Sequence, residues 1–368
     1  MNMITSPAAL TVHAERDALG WLQRRDGDRY SSMTELRDAL KERSIGTKSE
    51  TVRNKDIRLI SMDRNDIQTK DDMNKLLVEV NGQTMGMSHW SFGQMASLAK
   101  APAAFLRTLP AELVRDTLDY SLRFNRDVER VMPYHDGTNL RAVTGPAYGR
   151  VDDASVVDAI ATVLDSGRWT PAEGHMGLRA TDRSLQMFLI DQSNPVVVGK
   201  APNGNDDVMY RGLRISNSEL GYSSLSVEGF YFRGYCQNGM IFQMKEAHKI
   251  AIRHTKSAPF RWAREVQPAI EAYVNEDASK LVDQVFRAKQ ASVAHDNDQA
   301  LDWLKNRGLS AAQSREAVER VQAEEGRNPR TVWDMVQGVT AMARSIGGVE
   351  ERADMERLAG SFWSKVAA

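Results

Sequence analysis

The stretch RISNSELGYSSLSVEGFYFRGYCQNGM, from Arg214 to Met240, combines strand-forming residues with side chains that could do chemistry. Its β-branched and aromatic residues favour a pair of strands. The polar residues within it need partners if they are buried, because an unpaired buried polar group destabilises a fold by several kcal/mol. These polar residues are Asn217, Ser218, Glu219, Arg233 and Asn238.

Two arrangements would satisfy these polar groups. In the first, Arg233 on one strand makes a bidentate pair with Glu219, and the resulting network fixes the strand register. In the second, Glu219, Arg233, Asn238 and His254 form an enzyme active site in which Glu219 or His254 acts as the general base. The sequence shows no activated nucleophile and no set of metal-ligating residues near these four residues. It therefore favours the structural network, names no catalytic residue and leans against an enzyme.

A basic segment, KEAHKIAIRHTKSAPFRWAR, follows from Lys245 to Arg264. It holds six lysines and arginines and one acid, a formal charge of +5 in a chain whose formal net charge is −1. Cations contact phosphates, and flat rings stack on unpaired bases. The alternative is a solvated face whose charges pair with acids elsewhere in the fold. The segment predicts a surface for single-stranded nucleic acid, formed by Lys245, Lys249, Arg253, His254, Lys256, Arg261 and Trp262.

A second group of candidate binding residues surrounds a Gly-Pro turn in RAVTGPAYGRVDD, from Arg141 to Asp153. Arg141 and Arg150 would add phosphate contacts there, and Tyr148 would stack on a base, since turns held by a rigid sheet commonly carry binding groups. The alternative is a strand–loop–helix junction in which Tyr148 packs inside and Asp152 or Asp153 caps the next helix.

Motifs for metal and nucleotide chemistry are missing from the sequence. None of the seven histidines forms a His-x-x-x-His pair, and there is no P-loop, dinucleotide-binding or nucleophile-elbow pattern. Cys236 is the single cysteine, which excludes a disulfide within the chain. We therefore expect no metal and no cofactor. No stretch approaches the ~20 apolar residues of a membrane helix and no signal peptide is evident, so we expect a cytoplasmic protein with no membrane partner.

The pattern of apolar and turn residues predicts an α+β fold with three regions. Residues 1–54 are expected to be a loosely attached region with one short helix, which begins at a capping box from Ser32 to Glu35. Residues 55–256 alternate strands, helices and further strands, which predicts a core domain built on a curved antiparallel sheet with flanking helices. Residues 257–368 predict a helical C-terminal region, where one long amphipathic helix includes Val266, Ile270 and Phe286.

Several of these segments resemble the phage- and plasmid-borne proteins grouped as domain of unknown function 932. The resemblance rests on RAVTGPAYGRVDDASVVDAI, RGLRISNSELGYSSLSVEGFYFRGYCQNGMI and IRHTK, and it covers most of the chain beyond residue 55. Its most specific part is a signature that runs from Ile215 to Tyr222 and from Arg233 to Met240. Phe232 stands where the family has a tyrosine. GPAYGR replaces a serine-aspartate-x-tyrosine turn, which weakens the case for an essential acid there.

The resemblance implies a gene carried by phages, prophages or plasmids, and it implies no settled activity. Such genes often serve replication and recombination, and phage single-strand annealing proteins bind DNA without nucleotide hydrolysis, commonly as rings or filaments. By this analogy we expect a homo-oligomeric phage protein that binds and anneals single-stranded DNA. The alternatives are a phage factor that binds a host protein, in counter-defence or regulation, and the enzyme described above.

Overall fold

The computed structural model describes residues 18–25, 27–124, 127–164, 168–172, 176–234, 238–241, 250–275 and 279–367. Within these residues the chain forms two β-sheets with packed helices, followed by a helical C-terminal region. The predicted α+β class is therefore confirmed, although the strands are divided between two sheets.

The larger sheet is centred on a long antiparallel pair of strands, which we call the central hairpin. Asp206–Asn217 form β13 and Leu225–Arg233 form β14, with Met209 paired to Arg233. The other described strands of this sheet are β1 (Asp28–Tyr30), β9 (Trp169–Pro171), β10 (Leu178–Ala180), β11 (Leu185–Asp191), β12 (Val196–Lys200), β15 (Asn238–Ile241) and β16 (Ile250–Ile252). The order runs β1-β10-β11-β13-β14-β15, with β9 on β11, β12 on β13 and β16 on β14.

The smaller sheet is mixed, because one of its strand pairs is parallel. Its described strands are β2 (Lys48–Ser49), β3 (Val52–Arg53), β4 (Arg58–Ser61), β5 (Leu76–Val80), β6 (Gln83–Met87), β7 (Arg130–His135) and β8 (Asn139–Thr144). β6 pairs parallel to β8, and the other pairs are antiparallel. Asn81 and Gly82 have φ values of 50° and 78°, which suit a two-residue turn from β5 to β6, the hairpin turn that an Asn-Gly pair favours.

Helices cover both sheets. Phe92, Met95, Leu118 and Leu122 point from two of them into the core of the smaller sheet. The helices that precede the central hairpin are α1 (Met33–Ser44), α2 (Lys70–Asn74), α3 (His89–Leu98), α4 (Ala103–Leu106), α5 (Ala111–Phe124) and α6 (Asp153–Val163), with 3₁₀ turns at Asn54–Asp56 and Arg64–Asp66.

The described part of the N-terminal region is divided between the two sheets: β1 belongs to the larger sheet, and β2 and β3 belong to the smaller sheet. Ser32 Oγ accepts a hydrogen bond from the Glu35 N–H at the start of α1, which is one half of the predicted capping box. The Glu35 carboxylate accepts from the N–H and the hydroxyl of Ser31 and not from the Ser32 N–H, so the other half is not formed. Leu36 and Leu40 of this helix are buried in the main core, which is the core of the larger sheet, and β1 pairs with β10. The expectation of a loosely attached region is therefore wrong for these residues, while the domain boundaries after residues 54 and 256 stay predictions.

The helical C-terminal region is confirmed, but the single long helix predicted there is wrong. Val266 and Ile270 lie buried on one helix, whereas Phe286 is exposed on the next. One helix in the region is buried at all twelve of its residues, so it forms the centre around which the others pack. The helices are α7 (Ala258–Val274), α8 (Ser279–Gln290), α9 (Asn297–Lys305), α10 (Ala311–Glu325), the fully buried α11 (Val332–Ala343) and α12 (Val349–Ala367).

Gly212→Ala should destabilise the central hairpin. Gly212 pairs with Phe230 across the strands, and a Cβ there would lie 2.2 Å from the Phe230 ring. Phe230 is fully buried and has no room to move away, so we expect the free energy of unfolding to fall by roughly 1–3 kcal/mol. Urea denaturation of the two proteins measures this difference.

Gly145→Ala provides the matched control, because a Cβ at Gly145 meets no described atom within 4 Å. We expect this variant to unfold at the wild-type urea concentration. Equal stability of the Gly212→Ala variant and the wild type would contradict the packing around Phe230.

Candidate functional site

Glu219 is the centre of a buried polar cluster just beyond the end of β13. Nη2 of Arg141, on β8, donates a hydrogen bond to Glu219 Oε1 at 2.6 Å. The N–H of Asp153, at the start of α6, donates to Oε2 at 3.2 Å, and Arg150 donates to the Glu219 carbonyl oxygen. Segments that are distant in the sequence therefore converge on one carboxylate and its backbone.

The two residues before it are also engaged. Asn217 Nδ2 donates to Asp153 Oδ1 at 2.7 Å and to the Val151 carbonyl at 2.8 Å. The Tyr148 hydroxyl donates to the Ser218 carbonyl at 2.7 Å. Asn217, Ser218 and Glu219 therefore lie in one hydrogen-bonded network, which does not include the predicted partner Arg233. We call this group the Glu219 cluster; it consists of Arg141, Tyr148, Arg150, Asp153, Asn217, Ser218 and Glu219.

His254, just after β16, packs against the Glu219 cluster. Its ring stacks on Tyr148, with centroids 5.0 Å apart and planes tilted by 17°. The Gly149 N–H donates to the His254 carbonyl at 3.0 Å, and His254 Nδ1 lies 3.2 Å from the Gly149 carbonyl oxygen. A Cβ on Gly149 would lie 1.9 Å from the Thr255 carbonyl oxygen, so the close approach requires glycine. Burial lowers the pKa of His254, because the charged imidazolium is disfavoured away from water.

This geometry does not fit the prediction that Arg141, Tyr148 and Arg150 bind nucleic acid. The Arg141 side chain is only 12% exposed, and the Arg150 guanidinium lies 3.7 Å from the centroid of the Tyr134 ring. A phosphate would have to displace Glu219 to reach Arg141. The alternative strand–loop–helix junction is what the structure contains. Asp152 occupies the N-cap position of α6, and its side chain makes no capping hydrogen bond with a described residue.

Arg233 lies at the other end of the central hairpin, in a second buried cluster. Its Nε and Nη2 donate to the Asp207 carboxylate at 2.7 and 2.9 Å. Its Nη1 donates to Glu325 at 2.5 Å and to Gln337 at 3.2 Å. The predicted pair between Arg233 and Glu219 is therefore wrong. We call this group, Asp207, Arg233, Glu325 and Gln337, the Arg233 cluster.

The length of β13 explains the error. Arg233 pairs with Met209, which is eight residues before Asn217 at the opposite end of the strand. A strand rises about 3.3 Å per residue, so the two clusters are separated by roughly 26 Å.

The same separation removes the site that the enzyme hypothesis needs. Glu219 and His254 lie at one end of the central hairpin, while Arg233 lies at the other. Asn238 is in β15, paired with Arg233, and its side chain lies outside the described residues. The four residues of the predicted catalytic set therefore do not meet.

The basic segment is partly described. Lys245 and Lys249 lie outside the described residues, and so does Cys236. Arg253 and Lys256 are exposed, and within the described chain neither is in an ion pair. Arg261 is partly exposed and makes a bidentate pair with Glu265, with both contacts under 3 Å.

The ring exposed in this segment is Phe260 rather than the predicted Trp262. Trp262 is 7% exposed and packs in the main core, so it is not available to a base. Phe260 is 67% exposed. Ala258, Trp262 and Val266 recur every four residues and form the buried face of α7, which leaves Phe260 outside. This spacing is the sequence signal that distinguishes the two rings.

Neither a metal-binding group of side chains nor a membrane-spanning helix is found in the part of the chain that the structure describes. No group of three or more His, Cys, Asp or Glu side chains there is arranged to hold a metal ion. Among the same residues, no helix combines the length and the apolar character needed to cross a bilayer.

Asp153 is the residue of the Glu219 cluster with the most perturbed acidity. Its burial and the nearby Glu219 carboxylate raise the pKa of Asp153 to about 8. The hydrogen bond from Asn217 and the charges of Arg43 and Arg141 oppose this rise without cancelling it. Asp153 therefore holds a proton at neutral pH.

Comparison with known proteins gives one match. A family model described as domain of unknown function (DUF932) matches residues 141–362, which is more than half of the chain. The match contains both polar clusters and the basic segment. No match was found among curated proteins or among solved structures.

Asp153→Asn should remove part of the pH dependence of stability. The pKa of Asp153 is about 8 in the folded chain against an ordinary 3.8, so the folded state holds a proton that the unfolded state has released. Wild-type stability should therefore fall as the pH rises from about 4 to about 8. The amide cannot ionise, so the variant should gain on the order of 1–3 kcal/mol relative to the wild type across this range. Urea denaturation at several pH values measures this gain.

Asp158→Asn is the control on the same helix. The Asp158 side chain is 46% exposed and contacts Lys41 at the surface, so its replacement should leave the slope with pH unchanged. Parallel stability curves for the wild type and the Asp153→Asn variant would show that the buried carboxyl is not protonated.

Proposed function

The chain belongs to the family described as domain of unknown function 932, a description that assigns no activity, and we propose that it binds single-stranded nucleic acid. The observation that supports this function is an exposed aromatic ring set among cations at the start of α7. We call it the α7 surface; it consists of Arg253, Lys256, Phe260 and Arg264.

The positions of these residues follow from the helix. Phe260 and Arg264 are one turn apart on the exposed face, and the Arg264 guanidinium lies 5.5 Å from the centroid of the Phe260 ring. Lys256 precedes Phe260 by four residues, just before the helix begins. Residues 253–264 contain four lysines and arginines and no acid. Arg261 is paired with Glu265, and the other three cations belong to the α7 surface.

This arrangement suits a strand with unpaired bases. Cations that contact phosphates release counterions, and an exposed aromatic face stacks on a base whatever its identity. In a duplex that face of the base is covered by its neighbours. The positive end of the α7 dipole, which falls in the same place, adds to the attraction for phosphate. For biological context, we propose a phage-type role in recombination or replication, with no nucleotide hydrolysis.

Charge reversal tests the proposal. A variant with Arg253→Glu, Lys256→Glu and Arg264→Glu should bind a labelled single-stranded oligonucleotide at least about tenfold more weakly, since it loses three phosphate contacts. Phe260→Ala should cost roughly 1–3 kcal/mol, the range for one stacked base. Fluorescence anisotropy at two salt concentrations measures both effects, and wild-type affinity should fall steeply with salt.

The matched control changes the net charge equally at another place. Lys55→Glu, Lys70→Glu and Arg123→Glu alter three exposed residues of the smaller-sheet region and should leave the affinity within about twofold. Absent or salt-insensitive binding by the wild type would refute the proposal. Equal losses in the two triple variants would show that only total charge matters.

Protein binding is a second candidate, and the exposed side of α5 favours it. Leu113, Tyr120 and Phe124 are 47%, 68% and 62% exposed, and the last two rings lie 4.8 Å apart. Their spacing of seven and four residues places them in one stripe. An apolar stripe of this kind suits another apolar protein surface, and we propose a second copy of the chain as its partner.

Sedimentation of the full chain tests this second candidate. The wild type should self-associate, and Tyr120→Ser with Phe124→Ser should shift it toward the monomer because the apolar contact is lost. Phe286→Ser removes an equally exposed ring from α8 and should leave the association unchanged. A wild type that is monomeric at all concentrations would contradict the assignment.

A further inference from the structure

A cavity of about 350 Å³ lies where the C-terminal helices meet the Arg233 end of the central hairpin. Its wall combines the β12–β13 turn, the ends of β13 and β14, α8, and the connection from α10 to α11. This volume is at the small end of the range for ligand sites, roughly 300–1,000 Å³. The charged residues of the wall are Lys200, Asp207, Arg233, Lys289, Glu325 and Arg327.

The wall carries a positive excess, with four cations against two carboxylates. Both carboxylates contact Arg233, as described above, so the acids are largely satisfied by a single guanidinium. Lys200 pairs with Asp206 and Arg327 pairs with Asp334, and neither of these acids lines the cavity. The cavity therefore presents the cationic side of these pairs to its interior.

Lys289 is the cation best placed for a ligand. Its Nζ donates to the Val198 carbonyl at 2.9 Å and lies 3.6 Å from Asp207, which is already held by Arg233. The ammonium has three donors, so these contacts leave capacity for an incoming acceptor. Burial lowers the pKa of Lys289, and a bound anion would offset that effect by favouring the charged form.

Trp333, Arg327 and the start of α11 also line the cavity and determine which ligand suits it. Nζ of Lys289 lies 4.9 Å from the centroid of the Trp333 ring, so one side of the ammonium is already covered. Arg327 uses two of its five N–H donors on Asp334 and keeps others. Thr331 and Trp333, at the start of α11, also line the cavity, and Thr331 forms the capping box of this helix with Asp334.

We propose that this cavity binds the phosphate group of a small molecule. Donors arrive from several directions, from Lys200, Lys289 and Arg327, and a tetrahedral anion with several oxygens can accept from all of them. Lysine binds phosphate as a point charge, and arginine adds directed N–H donors. The small volume fits a low-molecular-weight ligand rather than a length of polynucleotide.

This site is independent of the proposed nucleic-acid function. β16 leads into the α7 surface and pairs with Leu225–Val227, at the opposite end of β14 from Arg233. Loss of one binding activity is therefore distinguishable from loss of the other.

Calorimetric titration of the full chain with inorganic phosphate tests the proposal. A control titration uses sodium chloride at equal ionic strength. Saturable binding by the wild type is expected. Lys289→Met should weaken it at least about tenfold, since the principal charge is removed and the aliphatic stem is kept. Lys200→Glu should weaken it several-fold, and its exposed position makes the variant safe for folding.

Lys305→Met is the control, because Lys305 lies on α9 at the surface and does not line the cavity. Its affinity for phosphate should equal that of the wild type. A wild type without saturable phosphate binding overturns the proposal, and so do folded variants at Lys289 and Lys200 that bind as tightly as the wild type. If Lys289→Met does not fold, the result for Lys200→Glu decides.

A second titration separates the two possible sources of the phosphate group. A short oligonucleotide with a 5′-phosphate is compared with the same oligonucleotide without it, using the charge-reversed α7 variant. Equal weak binding of both supports a small-molecule ligand. Phosphate-dependent binding that Lys289→Met abolishes would overturn the small-molecule assignment in favour of a polynucleotide end.

Discussion

Buried arginines on the central hairpin impose the constraint that the rest of the fold satisfies. At the middle of the hairpin, Arg214 pairs with Glu228 across the strands, and Glu228 also accepts two hydrogen bonds from Arg357 of α12. A buried charge left without its partner destabilises a protein by several kcal/mol. Each arginine therefore requires a carboxylate at a defined place. Glu219, just beyond β13, binds Arg141 of the smaller sheet at one end of the hairpin, Glu228 binds α12, and Arg233 binds the α10–α11 region at the other end.

The family signature and the proposed binding surfaces occupy different parts of the molecule. Glu219 and Arg233, its two charged residues, lie in buried clusters where their contacts hold segments together. The groups open to a ligand are adjacent to these clusters and not within them. The α7 surface lies next to His254, which packs against the Glu219 cluster, and the cavity borders the Arg233 cluster. The scaffold can therefore keep its interior polar contacts while its exposed chemistry changes, as is common when function lies in sites placed on a fold.

Local features of the fold were predictable from the sequence, and long-range partners were not. The N-cap at Ser32 and the turn at Asn81-Gly82 depend on contacts within a few residues, so the local sequence contains all the information they need. The pairing of Arg233 depends on strand length and on the arrival of Glu325, 92 residues later. Periodicity of 3.6 residues distinguishes Trp262 from Phe260, but charge and aromatic content alone do not.

The order of the strands has a consequence for how the chain is made. β1 pairs with β10, so Tyr30 cannot pair until Leu178 has been synthesised. Every described strand of the smaller sheet, by contrast, lies between residues 48 and 144. On the ribosome the smaller sheet is complete before the partner of β1 has been synthesised. While the smaller sheet is already formed, β1 is therefore still unpaired and the apolar face of α1 is still exposed on the nascent chain. That early segment is the one that needs protection from aggregation until translation has passed residue 180.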